Sequence, residues 1–360
     1  MLTRKTMYNK ILGTMAVATA LLGASQAQAA IVGANGTITP TIVAGALPDT
    51  PSAHVDPNVA SSPFSGVVSI NIRYDGQSFI CSGALVGKRQ VVSAGHCVDT
   101  DGNGTVVDIN RPGNDVRVVF NSNGTQNAVI TATKVSMNPD YKGFGNCPAG
   151  VDSFCVNDDI SVITLGQDAP ASAKIYKVSA TPLAEGSHII MAGYGTSGDG
   201  TNGYYISPSF TTKRTGENYV DLFDLDDEQG LESGNEEVYY ADFDGAGKDL
   251  FCTEFGVCTP QLANDREASI GGGDSGGPSF VMMNGELVLV ANNTFSGTWN
   301  EGDIDGTFGT YFGGIVLGSY TDYLRTATDG NITFVPEPGS LALLALGGAM
   351  LGGLRRRRKQ

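Results

Sequence analysis

From Phe64 onward the chain is built of short apolar runs broken by turn residues. Val67-Val68-Ser69-Ile70-Asn71-Ile72 alternates and ends at Asp75-Gly76, a two-residue hairpin signal. Ala84-Leu85-Val86, Val91-Val92-Ser93, Val116 to Phe120 and Ala128-Val129-Ile130 follow at short intervals. Ile160 to Leu165, His188 to Ala192, Phe280 to Met283 and Leu287 to Val290 continue the pattern. Helical spacing appears only near the end, around Ser319 to Ala327. Many short strands with frequent turns predict an all-β barrel or sandwich, and the 49 glycines fit a turn-rich β protein. Residues 31–62, rich in Gly, Thr, Pro, Ala and Ser, read as an extended lead-in or propeptide.

The two ends read as addresses rather than as fold. Arg4, Lys5 and Lys10 precede an apolar run from Ile11 to Ala24, and Ala27-Gln28-Ala29 fits a signal-peptidase site. Residues 1–29 are therefore expected to be an export signal; an N-terminal anchor helix is the alternative, but the run is short for a span. The C-terminus reads Val335-Pro336-Glu337-Pro338-Gly339-Ser340, then an uncharged stretch from Leu341 to Leu354, then Arg355 to Lys359. The stretch is short for a comfortable transmembrane helix, and the basic cluster would stay cytoplasmic.

Charge narrows the partners. The chain holds 22 Lys and Arg against 37 Asp and Glu. Eight of the basic residues and one acid lie in the end segments, which leaves 14 basic against 36 acidic residues in the middle. So acidic a domain is not expected to bind nucleic acid or anionic membrane. Residues 217–249 concentrate this charge, with Lys248 the lone basic residue among many carboxylates. That stretch reads as a solvated surface insertion, or as a cation-ordered loop or part of a substrate rim. Six cysteines in an exported chain suggest disulfides. The residues alone leave many pairings open. The short spacings of Cys147…Cys155 and Cys252…Cys258 favour local loops, and Cys81 would then pair with Cys97.

The chemistry sits in three segments. Gly271-Gly272-Gly273-Asp274-Ser275-Gly276-Gly277-Pro278 places a serine among residues with no side chain to crowd its hydroxyl. Val92-Ser93-Ala94-Gly95-His96-Cys97 holds one of only three histidines. Asp159 opens an apolar strand between them. A serine hydroxyl needs a base within hydrogen-bond reach, and that base needs an orienting partner. The order His, Asp, Ser is one of the known chain orders of such a triad. His54, in the polar lead-in, and His188, at a strand start, read as structural or solvent-exposed.

At these residues the chain resembles a trypsin-like serine protease of the chymotrypsin fold, over roughly Phe64 to Thr328. Cys81 to Val86 and Val91 to Cys97 match the family's strand, turn and catalytic histidine. Gly193-Tyr194-Gly195 and Phe251-Cys252 match later landmarks. The resemblance implies two six-stranded antiparallel β-barrels with a short C-terminal helix, spanning residues 63–330. It implies His96 as general base and then acid, Asp159 as its orienter and Ser275 as nucleophile, with a Cys81–Cys97 disulfide beside the histidine. The backbone N–H groups of Gly273 and Ser275 would form the oxyanion hole. Asp274 would pair with a new amino terminus, either Ile31 or Ile42. The implied activity is that of a serine endopeptidase acting on a protein or peptide through an acyl-enzyme. An inactive binding module and an esterase are the readings set against it. Position 269, six residues before the serine, is Ser and not an acid, which disfavours a Lys/Arg pocket; Thr294 and Ser296 would line it, and Asp265 or Glu267 could reach it instead.

Residues 331–360 resemble a PEP-CTERM sorting tail of Gram-negative bacteria. That resemblance implies transient membrane arrest of the tail, cleavage by an exosortase-type enzyme, and release or display in the periplasm or at the surface; an ordinary tail anchor is the alternative. The catalytic chemistry requires no cofactor. Asp99-Thr100-Asp101-Gly102-Asn103-Gly104 matches the first half of an EF-hand-type loop, so Asp99, Asp101 and Asn103 are candidate ligands for a structural calcium. Position 110 is Asn where the closing acid would stand. Asp108 could substitute, and plain turn chemistry accounts for the same residues.

Overall fold

The computed structural model describes residues 42–122, 125–151 and 155–335. Among them the first unit is a closed, antiparallel six-stranded barrel. Its strands are β1 (Val67–Tyr74), β2 (Gln77–Leu85), β3 (Gln90–Ser93), β4 (Asp115–Ser122), β5 (Thr125–Met137) and β6 (Ser161–Leu165), joined in the order β1-β2-β3-β6-β5-β4. The hairpin predicted at Asp75-Gly76 joins β1 to β2, with both residues at positive φ (48° and 78°) as a primed turn requires. Closure explains the unusual burial of β1. Val68, Ile70 and Ile72 fill the barrel, while Val67 on the opposite face joins the core shared with the second unit. Strands buried on both faces lose the polar half of the alternation.

The second unit is a nine-stranded sheet rather than a six-stranded one. Its main path runs β11 (Arg214–Tyr219), β8 (His188–Gly193), β14 (Pro278–Met283), β15 (Glu286–Gly297), β16 (Tyr311–Val316), β13 (Glu236–Asp242) and β12 (Leu222–Leu225). Two short strands, β7 (Lys177–Ser179) and β17 (Phe334–Val335), add to it in parallel pairing with β15 and each other. The hairpin of β9 (Ser197–Asp199) and β10 (Gly203–Ile206) stands apart. Strands of two to four residues carry too little alternation to be read in advance.

Two helices are present among the described residues besides short 3-10 turns. The expected C-terminal one is α2 (Thr321–Ala327); α1 (Leu250–Phe255) was not foreseen. Six residues are too few for a period, and α1 is defined by its ends: the Asp249 carboxylate caps Cys252 N–H, and Gly256 closes it at φ 71°.

Residues 42–62, expected as an extended lead-in, are part of the folded body. Val43 N–H donates to Ser269 O, Ala44 N–H to Gly198 O, and Asp56 N–H to Lys213 O. Lys213 is buried, with its ammonium on Phe64 O and 3.2 Å from Asp56. The acidic stretch 217–249 is not a solvated insertion. It forms β11 to β13, and Asp221, Asp224, Asp227, Glu237, Asp242 and Asp244 are buried.

Candidate active site

The barrel register brings histidine and aspartate together. β3 pairs with β6 through Ser93↔Ser161, so His96, just past β3, lies beside Asp159, just ahead of β6. Asp159 is fully buried and accepts twice from His96: Oδ1 from the backbone N–H at 2.6 Å and Oδ2 from ring Nδ1–H at 2.8 Å. Gly95 permits this approach, since a Cβ there would stand 3.1 Å from Asp159 Oδ1. Asn292 holds the Asp159 carbonyl, and Ser161 Oγ donates to Ala94 O across the two strands. The His96 ring packs on Phe144 at 4.8 Å between centroids. The Cys81–Cys97 disulfide lies next to it, and Cys147–Cys155 and Cys252–Cys258 are formed as expected.

Ser275 precedes β14 and is tied to the other barrel, its carbonyl accepting from Ser82 N–H at 2.9 Å. Gly276, at φ 76°, packs so closely on Ser93 and Ala94 that a Cβ would collide with them. That contact keeps the serine next to the histidine turn. Gly273 lies at φ 97°, and Ser82 Oγ donates to its carbonyl at 2.9 Å. Neither Gly273 N–H nor Ser275 N–H has an acceptor among the described residues. Two backbone donors left open beside a serine can bind an oxygen that gains negative charge.

Asp274 is fully buried and accepts from Gly271 N–H (3.1 Å), Gly195 N–H (3.2 Å) and the backbone N–H of Ile42. Burial pushes its carboxyl up to about 7, against those three donors and Arg214. Ile42 is itself fully buried, its carbonyl accepting from Ser197 Oγ. Ile31 lies outside the described residues.

Ser269, the residue six before the serine, is buried with its Oγ unpartnered, as is Thr294 Oγ1. Ser296 is 3.3 Å from the hydroxyl of Tyr204, which also donates to Ile270 O at 2.7 Å. Tyr204 thus bridges the segments 269–271 and 294–296 from β10. Sequence reasoning missed it. The signal available was Gly271, where a Cβ would clash with Tyr204 and Thr196. Neither candidate acid takes part: Asp265 is exposed, and Glu267 accepts from Leu262 N–H among the carboxylates of Asp242 and Asp249.

The Asp99 loop closes on itself. Asp99 Oδ1 accepts from the backbone N–H groups of Asp101, Gly102 and Thr105, and its Oδ2 from Gly104. Thr105 hydroxyl and Asn103 N–H hold Asp101, whose carboxyl drops to about 2. Asn103 donates to Asp101 O. These hydrogen bonds fall on the same oxygens that calcium would take. His54 and His188 are paired with Asp49 and Glu217, as structural residues.

The family model described as trypsin matches residues 54–308, and the PEP-CTERM protein-sorting motif matches residues 334–359. The chain is similar to "Serine protease 1" of Homo sapiens, 26% identical over 240 residues, covering 65% of this chain and 73% of that protein. Apart from Phe334 and Val335, the sorting motif lies outside the described residues.

Proposed function

The chain belongs to the trypsin family of serine endopeptidases, and on that premise we propose that His96, Asp159 and Ser275 hydrolyse peptide bonds through an acyl-enzyme. The supporting observation is the 2.8 Å contact between His96 Nδ1 and a buried Asp159 that also accepts from the His96 backbone. A carboxylate so placed keeps the proton on Nδ1 and leaves Nε2 free to accept one. Ser275 Oγ attacks the scissile carbonyl carbon as its proton passes to Nε2. The carbonyl oxygen takes the negative charge and is held by Gly273 and Ser275 N–H. The intermediate collapses to the acyl-enzyme, and Nε2–H gives its proton to the leaving amine. Water then repeats the sequence, restoring Ser275 and releasing the acid. The chemistry needs no cofactor.

Ile42 is the activation terminus in this reading, freed by a cut after Thr41. Its N–H already donates to Asp274, and an ammonium in that position would pair with the ionised carboxylate. The primary pocket, with Ser269 in place of an acid and Tyr204 bridging its walls, suits a small or apolar side chain. The chain carries the sorting motif of exported Gram-negative proteins. An exosortase-type enzyme would cut the tail after transient membrane arrest and leave the protease in the periplasm or at the cell surface.

A serine-reactive fluorophosphonate probe tests the chemistry. Labelling of the wild type and not of Ser275→Ala is expected, with casein cleaved by the wild type alone. Labelling of neither would identify an inactive binding module, and labelling without casein cleavage an esterase.

A further inference from the structure

Buried carboxylates are costly to leave without a counter-charge, and proteins resolve the cost by pairing them or by binding a metal. One such group lies a single residue from Asp159. Asp158, at φ 65°, is brought against Asp227 and Glu228 of the β12–β13 connection, with one carboxylate oxygen from each within 4.8 Å of the others. The three line a cavity of ≈ 220 Å³ together with Asp140, Asn146 and Asn157.

A second observation concerns Asp227 alone. It is 5% exposed, and its Oδ1 has no hydrogen-bond partner among the described residues. Asp158 Oδ1 accepts from the Asn138 side-chain amide at 2.9 Å. No Lys, Arg or His forms an ion pair with any of the three among the described residues. Lys142 lines the cavity, but its ammonium donates to Pro139 O. Asp226 and Glu237 stand behind Glu228 and add to the negative field. The other buried acidic group, around Asp242, also leaves one oxygen unpartnered, Asp244 Oδ1, but backbone and hydroxyl donors reach its neighbours Asp221, Asp242, Asp249 and Glu267.

We propose that the cavity beside Asp158, Asp227 and Glu228 is a calcium site. The donors are all oxygen, which selects a hard cation. Calcium accepts carboxylates in one- or two-point contact with water completing an irregular shell, whereas magnesium demands near-octahedral geometry. The bound ion would tie the β12–β13 connection to the segment that leads directly into Asp159.

The test uses the exported chain carrying Ser275→Ala, which blocks self-cleavage, stripped with a chelator. Calcium chloride is titrated by calorimetry, and melting is followed in calcium and in chelator. The parent is expected to melt higher in calcium. Asp227→Asn/Glu228→Gln should bind one calcium fewer, or bind at least tenfold more weakly, and lose most of that gain. In chelator the double variant should melt at or above the parent, because two repelling charges are gone. Asp227→Asn alone, which keeps size and shape, should show the same trend more weakly. A parent indifferent to calcium, or variants with the parent's stoichiometry and affinity, would overturn the site. Loss of binding in Asp99→Asn instead would assign the ion to the 99–103 loop and overturn it equally.

Discussion

Thr196 holds the carbonyl of Gly272 twice, through its backbone N–H at 2.7 Å and its hydroxyl at 2.6 Å. In a planar trans peptide the N–H points opposite to the C=O. Fixing the Gly272 carbonyl on Thr196 therefore turns Gly273 N–H away from it, toward the open space beside Ser275. Removing the hydroxyl in Thr196→Val leaves one bond to hold the peptide. Loss of an oxyanion donor outright raises the barrier by about 2.7–4 kcal/mol. A donor merely loosened should lower kcat by roughly tenfold with KM little changed, read by steady-state hydrolysis of a peptide ester and amide. An unchanged kcat would remove Thr196 from the account.

Asp159→Asn keeps the shape of the side chain but sets an amide where two N–H donors converge. The imidazole would then be held in the wrong tautomer. A fall in kcat of about four orders of magnitude is expected, with folding intact by circular dichroism.

Tyr204→Phe removes the hydroxyl that joins Ile270 O to Ser296 Oγ across the pocket. One hydrogen bond is worth about 1 kcal/mol. KM for the best peptide should rise roughly fivefold while kcat toward a non-specific ester stays the same. A peptide panel cut strongly only after Arg or Lys would refute the small or apolar pocket.

Activation should depend on the residue at the amino terminus. Sequencing of active enzyme is expected to begin at Ile42, and Asp274→Asn should abolish activity while the chain still folds. An active enzyme that retains Thr41 would count against the Ile42–Asp274 pairing.

Stability should fall with rising pH in the absence of metal. Burial, reinforced by Asp242, lifts Asp221 and Glu267 to about 8 and Asp244 to about 9. A carboxyl raised in the folded state favours folding below its unfolded value, near pH 4, and that contribution is lost as pH climbs through the folded value. Each unrelieved pK unit is about 1.4 kcal/mol, or roughly 2–4 °C for a domain of this size. The melting temperature in chelator should drop by several degrees between pH 5 and pH 9. A rise over that interval would mean these carboxyls are ionised at little cost.

Much of the active site was legible because it is local. The glycines around Ser275, the histidine turn closed by Cys97, and the aspartate at a strand start each follow from a few neighbouring residues. β1 through β6 were readable for the same reason, as was the turn at Asp75-Gly76, whose residues lie at positive φ as turns of that kind need. The edges were not. β7, β17 and α1 are too short to show a period, and they exist because a neighbour supplies hydrogen bonds or a cap.

The sequence by itself determined the family, the β architecture and the three residues proposed for the site, since each depends on residue type and near-neighbour spacing. Tertiary structure alone decided the rest. It turned residues 42–62 from a lead-in into packed chain, because Ile42 fits a buried slot beside Asp274. It buried Asp221, Asp224, Asp227, Glu237, Asp242 and Asp244, acids of a stretch that composition had assigned to solvent. It also placed Tyr204 across the pocket and Asp227 against Asp158, contacts between segments more than sixty residues apart. Burial and long-range contact are properties of the packed chain, and no local pattern of residues encodes them.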